Sequence, residues 1–376
     1  MSKANSTALA VCVIAFLGGC SGADGAGNSG SAQPSEETVD SVDQAATTCS
    51  VPSFITQSPT PTGWATQNGG TTGGGTAKAT TVTTLAQLNS AAKGTTAAVI
   101  YVQGKLAQGT VTIGSNKTII GCSGNNALNG HVELKGSSNV ILRNLNVIGY
   151  NCAPPDVNTA TGGQCQNGQD AMTIEKDSHH IWIDHSAISD GSDGNLDITH
   201  ASDDITISYT KFFYSTKRSD PNDTGAAGHR FSDLIGHSDS NGSEDTGHLN
   251  ITFHHDWWAQ NVVERAPRIR FGKVHLYNDL WTNTGDDYCI GVGVGANVRS
   301  EENAFIGVKT PIDTTSYVNS SIAKSVAKST SNLYSGTSGK SPADLNASSV
   351  FAPPYSFSAE SASAVQADVQ ANAGPK

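Results

Sequence analysis

Short apolar runs recur along the chain, and polar or turn-forming residues separate them. A run of four to eight apolar residues between such turns is typical of a buried strand. The intervals between the first residues of successive runs are 22, 41, 24, 46, 23 and 24 positions, so four of the six lie near 23. The runs are TIIGCSG from Thr118, VILRNLNV from Val140, IWIDHSAI from Ile181, ITISYTKF from Ile205, ITFHHDWW from Ile251, VHLYNDLW from Val274 and VRSEENAF from Val298.

A period in the low twenties with strand-like segments is typical of a solenoid whose coils stack on one another. The pattern predicts an all-β chain folded as a right-handed, single-stranded parallel β-helix with short capping helices. No alternation of strands with long helices is visible, which argues against a βαβ fold. Each of the two long intervals is interpreted either as one coil with an inserted loop or as two coils.

We call the first residue of each run its anchor. The residue four positions after each anchor falls at the same bend of successive coils. Polar side chains stacked at a bend form a ladder that satisfies buried backbone groups. We therefore expect a structural rather than a catalytic role for Asn144, His185, His255 and Asn278. The full set at this position is Cys122, Asn144, His185, Tyr209, His255, Asn278 and Glu302.

Two segments with helical spacing flank the repeat. VTTLAQLNSAAK at 82–93 is expected to cap the N-terminal end of the stack, because an open terminal coil exposes strand edges. AESASAVQADVQANAG at 359–374 is expected to form a helix on the outside or at the end of the solenoid.

The first 20 residues have the pattern of an export signal, in which Lys3 precedes an apolar stretch too short for a retained membrane span. LGGC at 17–20 resembles a bacterial lipobox, so we expect lipidation of Cys20, with ordinary secretion as the alternative. Residues 21–48 hold five acids, no Lys or Arg and almost nothing large and apolar, which predicts a disordered linker. We expect one catalytic domain at 49–376 in a secreted or cell-surface protein.

Five cysteines lie beyond the linker, and their odd number leaves one unpaired if the others form disulfides. Cys152 and Cys165 bracket a loop rich in Pro and Gly, so this pair is the favoured disulfide, with two free buried thiols as the alternative. Their spacing fits no zinc template.

The charge balance is acidic, with a formal net charge of −11. No basic run resembles a nucleic-acid-binding arm, so we expect no nucleic-acid partner. We also expect membrane contact only through a lipid anchor, and a monomer. A polyanionic ligand would need a local basic patch or a bridging cation. VVERAPRIRFG at 262–272 is such a patch, with Arg265, Arg268 and Arg270 within six positions.

Three aspartates form a candidate metal site. Asp193 and Asp197 are four positions apart, with Gly194 allowing a tight turn, and Asp170 lies one coil earlier. Neighbouring coils of a β-helix are roughly 4.8 Å apart, so the three carboxylates can converge on one face. Repulsion between them would be relieved by a hard cation bound through oxygen, Ca²⁺ rather than Zn²⁺. Taken alone, the three are more consistent with solvated loop acids.

Several segments together are similar to the extracellular pectate lyases, polysaccharide lyases with a parallel β-helix fold. The resemblance covers about residues 49–376, and WIDH and RAPRIR are its specific signals. The matching segments, in order, are IWIDH at 181–185, DGNLDITHASDDITISY at 193–209, IGHSDS at 235–240 and ERAPRIRFGKVHLYND at 264–279.

The resemblance implies roles for individual residues. Three acids of that family bind catalytic Ca²⁺, one lysine and one arginine bind the substrate carboxylate, and another arginine is regarded as the base. The corresponding residues here are Asp170, Asp193 and Asp197 for the metal, Lys217 in YSTKRS and Arg270 for the substrate, and Arg265 for the base. RSDPNDTGAAGHRFSD at 218–233 is an insertion relative to the family, which makes Arg218 a competitor for the role of Lys217.

The resemblance implies Ca²⁺-dependent eliminative cleavage of α-1,4-linked polygalacturonate to 4,5-unsaturated oligogalacturonides. A base is needed for the proton at C5, and an arginine is a poor base at neutral pH unless neighbouring cations disfavour its charge. The alternatives are a non-catalytic polyuronate-binding β-helix, a pectin lyase and a galacturonan hydrolase of the same fold. Zinc and serine hydrolases are not expected, because the chain has neither H-E-x-x-H nor G-x-S-x-G.

Overall fold

The computed structural model describes residues 49–58, 60–150, 169–217, 229–339 and 341–376. Four features predicted above lie outside these residues: the signal segment with Cys20, the linker at 21–48, the Cys152–Cys165 disulfide and Arg218. Residues 48–376 form one compact unit. No helix in the described part of the chain has the length and apolar character that crossing a membrane requires.

The strands run parallel and form three sheets, in which each strand pairs with its equivalents in the preceding and following coils. A complete coil contributes first to sheet A, then to sheet C and then to sheet B. Sheet A contains β1 (Ala79–Val82), β2 (Ala98–Lys105), the start of β4 (Lys117–Lys135), β5 (Ser138–Arg143), β8 (His179–Asp184), β11 (Asp203–Ser208), β14 (Asn250–His254), β17 (Lys273–Tyr277), β20 (Asn297–Glu301) and β23 (Val326–Thr330). Sheet B contains β3 (Gly109–Ile113), the end of β4, β7 (Met172–Glu175), β10 (Gly194–Ile198), β13 (Phe231–Ile235), β16 (Arg268–Ile269), β19 (Ile290–Val292) and β22 (Ile312–Asp313). Sheet C contains the middle of β4, β6 (Asn146–Ile148), β9 (Ala187–Ser189), β12 (Lys211–Phe213), β15 (Trp257–Trp258), β18 (Leu280–Trp281), β21 (Ala304–Ile306) and β24 (Leu333–Ser335). The predicted parallel β-helix is confirmed.

The apolar anchors of the sequence repeat lie in register on sheet A. Ile181 pairs with Ile205, Ile251 with Val274, and Val274 with Val298. The first anchor was placed one residue too late, since Lys117 rather than Thr118 pairs with Val140.

Both long intervals of the repeat are single coils that carry insertions. Val140 pairs directly with Ile181, and Ile205 pairs directly with Ile251. The interpretation of an additional coil in either interval is therefore wrong. The extra residues of the first interval come between β6 of sheet C and β7 of sheet B. Those of the second come partly between β12 of sheet C and β13 of sheet B, and partly between β13 and β14 of sheet A.

The core is a set of stacked columns of apolar side chains inside the solenoid. One column on sheet C is aromatic, with ring centroids 5.4, 4.6, 4.3 and 5.3 Å apart in sequence. Such a column removes large apolar surface from water in every coil, which stabilises the stack by hydrophobic burial and ring contact. Its members are Phe212, Trp258, Trp281, Phe305 and Tyr334.

The predicted ladder forms at the bend between sheets A and C. Tyr209 stacks between His185 and His255, with both centroid distances 4.6 Å. Asn144 and Asn278 donate side-chain hydrogen bonds to backbone carbonyls of neighbouring coils. All these residues adopt the left-handed backbone conformation, which turns the chain from one sheet to the next. The structural role predicted for Asn144, His185, His255 and Asn278 agrees with these contacts.

A second ladder, not predicted, lies one position further along each coil. A buried carboxyl or amide oxygen of one coil accepts the backbone N–H of the equivalent residue in the preceding coil, at 2.6 to 2.9 Å. The accepting residues are Asp256, Asp279, Asn303 and Asn332. The signal was present in the sequence, because all four lie five positions after the aligned residues Ile251, Val274, Val298 and Ala327.

Within the described residues, four α-helices lie outside the three sheets: α1 (Phe54–Gln57), α2 (Leu85–Ala92), α3 (Gly242–Asp245) and α4 (Ala362–Asn372). Two 3₁₀ turns lie at Trp64–Thr66 and Ala347–Ser349. Helix α2 begins later than the predicted 82–93 because Val82 belongs to β1 and Thr84 forms a capping box with Gln87. It buries Leu88 and Ala92 in the core. Helix α4 packs on the outside of sheet C, where Val365 and Val369 contact Leu280 and Ala304.

One disulfide lies within the described residues, and it joins Cys49 to Cys122. The prediction that Cys122 belongs to the ladder is wrong, because Gly121 occupies the position next to Asn144. The carbonyl of Gly121 accepts a hydrogen bond from the Asn144 amide. Cys289 is a free, buried thiol.

Candidate active site

The candidate site lies on the outward face of sheet B. In β10, Asp197 stands between two buried residues, as the alternation of side chains along a strand requires. Parallel pairing aligns Asp197 with Thr173 on one side and with Leu234 on the other, and Leu234 with Arg268. A carboxylate and a guanidinium thus occupy one outward column, two coils apart.

Gly194, at the start of β10, leaves space for two carboxylates. A Cβ at this position would lie 2.9 Å from Oδ1 of Asp170 and 3.6 Å from Oδ1 of Asp197. The backbone N–H of Ala171 donates to the carbonyl of Gly194 at 3.0 Å, which places Asp170 beside β10. The two carboxylates therefore converge over a residue without a side chain, as the spacing predicted.

The carboxylates around Gly194 concentrate negative charge. Burial, together with the charges of Asp197 and Asp193, raises the pKa of Asp170 well above its usual value. Burial and the charge of Asp193 raise the pKa of Asp197 to about 7. Like charges in a partly dry site disfavour ionisation, so these carboxylates are poised to accept a cation.

Asp193 has a different environment. Its Oδ1 lies 2.8 Å from Nδ1 of His229, and its side chain is 42% exposed. The hydrogen bond with His229, aided by the positive charge of Arg265, lowers the pKa of Asp193. This carboxylate is reachable from solvent, and only one of its two oxygens contacts His229.

Arg265 lies beside all three acids. Its positive charge lowers the pKa of Asp170, Asp193 and Asp197. The guanidinium carbon lies 4.0 Å from the ring centroid of Phe231, and the buried Nε donates no hydrogen bond to a described residue. Arg265 also has a left-handed backbone (φ 58°), a conformation that is uncommon for a non-glycine residue and concentrates at functional sites.

The other two arginines follow in β16 and directly after it. The guanidinium carbon of Arg268 lies 4.3 Å from the ring centroid of Tyr317. Arg270 donates from Nε to Asp239 Oδ1 at 2.6 Å and from a terminal nitrogen to the carbonyl of Gly236 at 2.7 Å. Burial and the charge of Arg268 lower the pKa of Arg270. The three arginines thus form one cationic strip beside the acids.

No contact within the described residues joins Lys217 to the three arginines. It is exposed and is the last described residue before 218–228. Its predicted substrate-binding role stays a prediction.

Sequence reasoning missed the residues that re-enter sheet B after the insertion. His229 contacts Asp193, and its ring centroid lies 4.4 Å from that of Phe231, which also supports Arg265. Arg230 is buried and donates to the carbonyl of Thr216, joining both ends of the insertion. The sequence did contain a signal for these residues, because they lie at the end of the insertion at 218–233.

The donor set fits Ca²⁺. All candidate ligands are carboxylate oxygens, and a hard cation with flexible coordination prefers such ligands. The space above Gly194 and the raised pKa values of two acids are the features expected of a site that a divalent cation stabilises.

Comparisons with known proteins identify the family of the chain. Residues 45–376 match the family model described as pectate lyase. The chain is 38% identical over 288 residues to pectate lyase E of Dickeya chrysanthemi, an alignment covering 65% of this chain and 70% of the relative. It is 37% identical over 257 residues to pectate lyase A of Aspergillus niger, covering 66% of this chain and 70% of the relative.

Solved structures share the fold. A pectate lyase from Bacillus sp. N165 in complex with trigalacturonate superposes with a TM-score of 0.65 at 23% identity, covering 84% of this chain and 98% of that one. A pectate lyase variant from Xanthomonas campestris gives a TM-score of 0.63 at 24% identity, with coverage of 84% and 98%.

Proposed function

The chain belongs to the pectate lyase family, and from this premise we propose that it cleaves α-1,4-linked polygalacturonate by Ca²⁺-dependent elimination. One observation carries the proposal: Asp170 and Asp197 converge over Gly194 while Arg265 lies beside them on the same outward face. A surface that only bound polyuronate would not require an arginine next to repelling carboxylates.

Asp170, Asp193 and Asp197 would hold the ion. When bound, Ca²⁺ would supply positive charge that offsets the repulsion between these acids and stabilises the enolate-like charge developing next to the uronate carboxyl. Asp193, the most exposed of the three, would bind the ion through the oxygen that does not contact His229.

Arg265 is the proposed base. It would remove the proton at C5, the electron pair would form the double bond between C4 and C5, and the bond from C4 to the glycosidic oxygen would break. The guanidinium of Arg265 packs against the ring face of Phe231, which orients it. Within the described residues, neither Arg265 nor Arg268 forms an ion pair.

Arg270 and Lys217 are proposed to bind substrate carboxylates. The Arg270 fork is held by Asp239 and Gly236, so its direction is set before substrate arrives, and a uronate carboxylate would share or replace Asp239. Lys217, at the edge of the insertion, would contact a uronate from the opposite side.

The test is turnover of polygalacturonate followed by absorbance of the unsaturated uronide, with Ca²⁺ and with excess chelator. We expect product only with Ca²⁺. Reducing ends without the unsaturated product would indicate a hydrolase instead. Activity on methyl-esterified pectin in chelator would indicate a pectin lyase, and binding without any product would indicate a binding module.

We also propose export to an oxidising compartment, with lipidation at Cys20. The Cys49–Cys122 disulfide supports export, because such bonds are rare in reducing compartments. Fractionation of the wild type and of Cys20→Ser tests the anchor: membrane association should be lost in the variant while specific activity is retained.

A further inference from the structure

The segment after β24 returns across the ladder bend on the outside of the coils. The backbone N–H of Glu360 donates to Asn278 Oδ1, and the Asn278 amide donates to the Glu360 carbonyl, both at 2.9 Å. Further on, the N–H of Gly374 donates to the carbonyl of Tyr209 at 2.8 Å. The segment that includes α4 is therefore positioned against the ladder by specific hydrogen bonds.

Three metal-ligating side chains meet where this segment crosses His255. The potential ligand atoms of His255, Glu360 and Asp368 all lie within 4.8 Å of one another, and all three residues are half-buried. Two of them come from the crossing segment and one from the ladder. This cluster is separate from the candidate active site, which lies on sheet B.

The carboxylates in this cluster are incompletely satisfied. Glu360 Oε1 and Asp368 Oδ2 are buried, and neither accepts a hydrogen bond from a described residue. The other oxygen of Asp368 accepts from the Asn372 amide at 2.8 Å, which orients the carboxylate. Buried oxygens without a donor are costly unless a cation or proton lies between them.

The histidine is prepared to act as a ligand. Its Nδ1 lies 3.0 Å from Nδ1 of His254, so Nε2 is left for another partner. A neutral imidazole with an unshared electron pair is the form that binds a metal.

We propose that His255, Glu360 and Asp368 bind a divalent transition-metal ion of the Zn²⁺ class, which fastens α4 to the ladder. One imidazole nitrogen with two carboxylate oxygens suits Zn²⁺, with water as a further ligand, better than Ca²⁺, which prefers oxygen alone. The ion neutralises two carboxylates and joins residues more than a hundred positions apart. Its role is structural, since no element of the candidate active site contributes a ligand.

The experiment is a Zn²⁺ titration by calorimetry of the full, chelator-stripped chain at neutral pH, with saturating Ca²⁺ present to occupy the acids of sheet B. We expect one Zn²⁺ per chain and a Zn²⁺-dependent rise in Tm. Asp368→Asn and Glu360→Gln should each weaken Zn²⁺ binding by roughly tenfold or more and abolish the rise in Tm. Asp177→Asn, which removes an exposed carboxylate elsewhere, is the matched control and should keep both.

A second measurement is independent of whether the variants fold. Co²⁺ added to the wild type should give the visible absorption bands of a four- or five-coordinate ion with nitrogen and oxygen ligands. A wild type that binds no Zn²⁺ and gives no such bands would overturn the proposal. So would folded Asp368→Asn and Glu360→Gln proteins that bind Zn²⁺ as tightly as the wild type; a gain in metal-free stability without a Zn²⁺ response would indicate a shared proton instead.

Discussion

Two groups of aspartates in this molecule carry costly charge, and only one of them belongs to the candidate site. The acid face consists of Asp170, Asp193 and Asp197 on the outside of sheet B, and the buried aspartate pair consists of Asp256 and Asp279 in the second ladder. The pKa of Asp170 and of Asp256 is raised well above the usual value by burial, followed by the charge of a neighbouring aspartate. By this criterion alone the two groups look alike.

Their surroundings separate them. The buried pair is fully enclosed, and each member accepts a backbone N–H from the preceding coil. The acid face contains a carboxylate that is 42% exposed, and Arg265 lies beside all three acids. A perturbed pKa therefore reports only that charge is expensive; access from solvent and a nearby cation distinguish a reactive site from a structural one.

The strongest test of the acid face is Arg265→Lys. We expect turnover to fall by roughly a thousandfold, because a lysine keeps the charge but not the reach and geometry of the guanidinium. Oligogalacturonate affinity should survive. Arg270→Ala is the matched variant and should weaken affinity instead, since it removes a carboxylate contact. The measurement is turnover and affinity for both variants at one alkaline pH. An Arg265→Lys enzyme with most of its turnover would remove Arg265 from the role of base.

The next test separates the two groups of acids by metal binding. Asp197→Asn should weaken Ca²⁺ binding by roughly tenfold or more, because ligand charge sets the affinity of such sites. Asp279→Asn, in the buried pair, should leave Ca²⁺ affinity unchanged. Calorimetric titration of both variants with Ca²⁺ is the measurement. Equal loss of affinity in both would mean that the distinction between the groups is wrong.

The buried pair should respond to pH through stability. A raised pKa in the folded state makes folding take up a proton above about pH 4, so the cost of Asp279 grows as pH rises from there toward its folded pKa. Asp279→Asn removes this cost, about 1.4 kcal/mol for each unit by which the pKa is raised. The next coil already has an asparagine at the equivalent position. Asn303 accepts the backbone N–H of Asp279 and donates to the carbonyl of Leu276, so an amide fits this ladder.

Urea unfolding of Asp279→Asn and wild type at pH 5 and pH 8 measures this effect. The stabilisation should be larger at pH 8. A variant that is less stable than the wild type at both values would show that the carboxyl is ionised and satisfied in the fold.

The smallest expected effect concerns Glu301, a carboxylate that is hydrogen-bonded to both His275 and Arg299. Burial by itself would raise the pKa of Glu301, but hydrogen bonds from His275 and Arg299 outweigh it and lower the pKa to about 2. Its contribution is therefore present above about pH 4.5, the ordinary range of a glutamate, and is lost as pH falls toward 2. Glu301→Gln should cost on the order of 1 kcal/mol at pH 7 and almost nothing near pH 2, measured as the difference in unfolding free energy. A cost that does not depend on pH would attribute the effect to packing.

Much of the fold was predictable from the sequence because each coil is built from its nearest neighbours. A period near 23 places equivalent residues side by side, so the anchors, the ladder residues and the convergence of Asp170 with Asp197 followed from counting positions. The second ladder was predictable in the same way and was missed. The anchor at Thr118 was off by one residue because Lys117, which begins that strand, is charged.

The remaining features depend on contacts that no period encodes. Four contacts each join a segment outside the repeat to a coil. They are Cys49 with Cys122, His229 with Asp193, Asp239 with Arg270, and Glu360 with the ladder residue Asn278. The sequence by itself determined the coil, because stacking repeats the same local interaction. The tertiary structure decided how insertions and termini return to the coils, because the position of such a segment depends on the whole surface against which it packs.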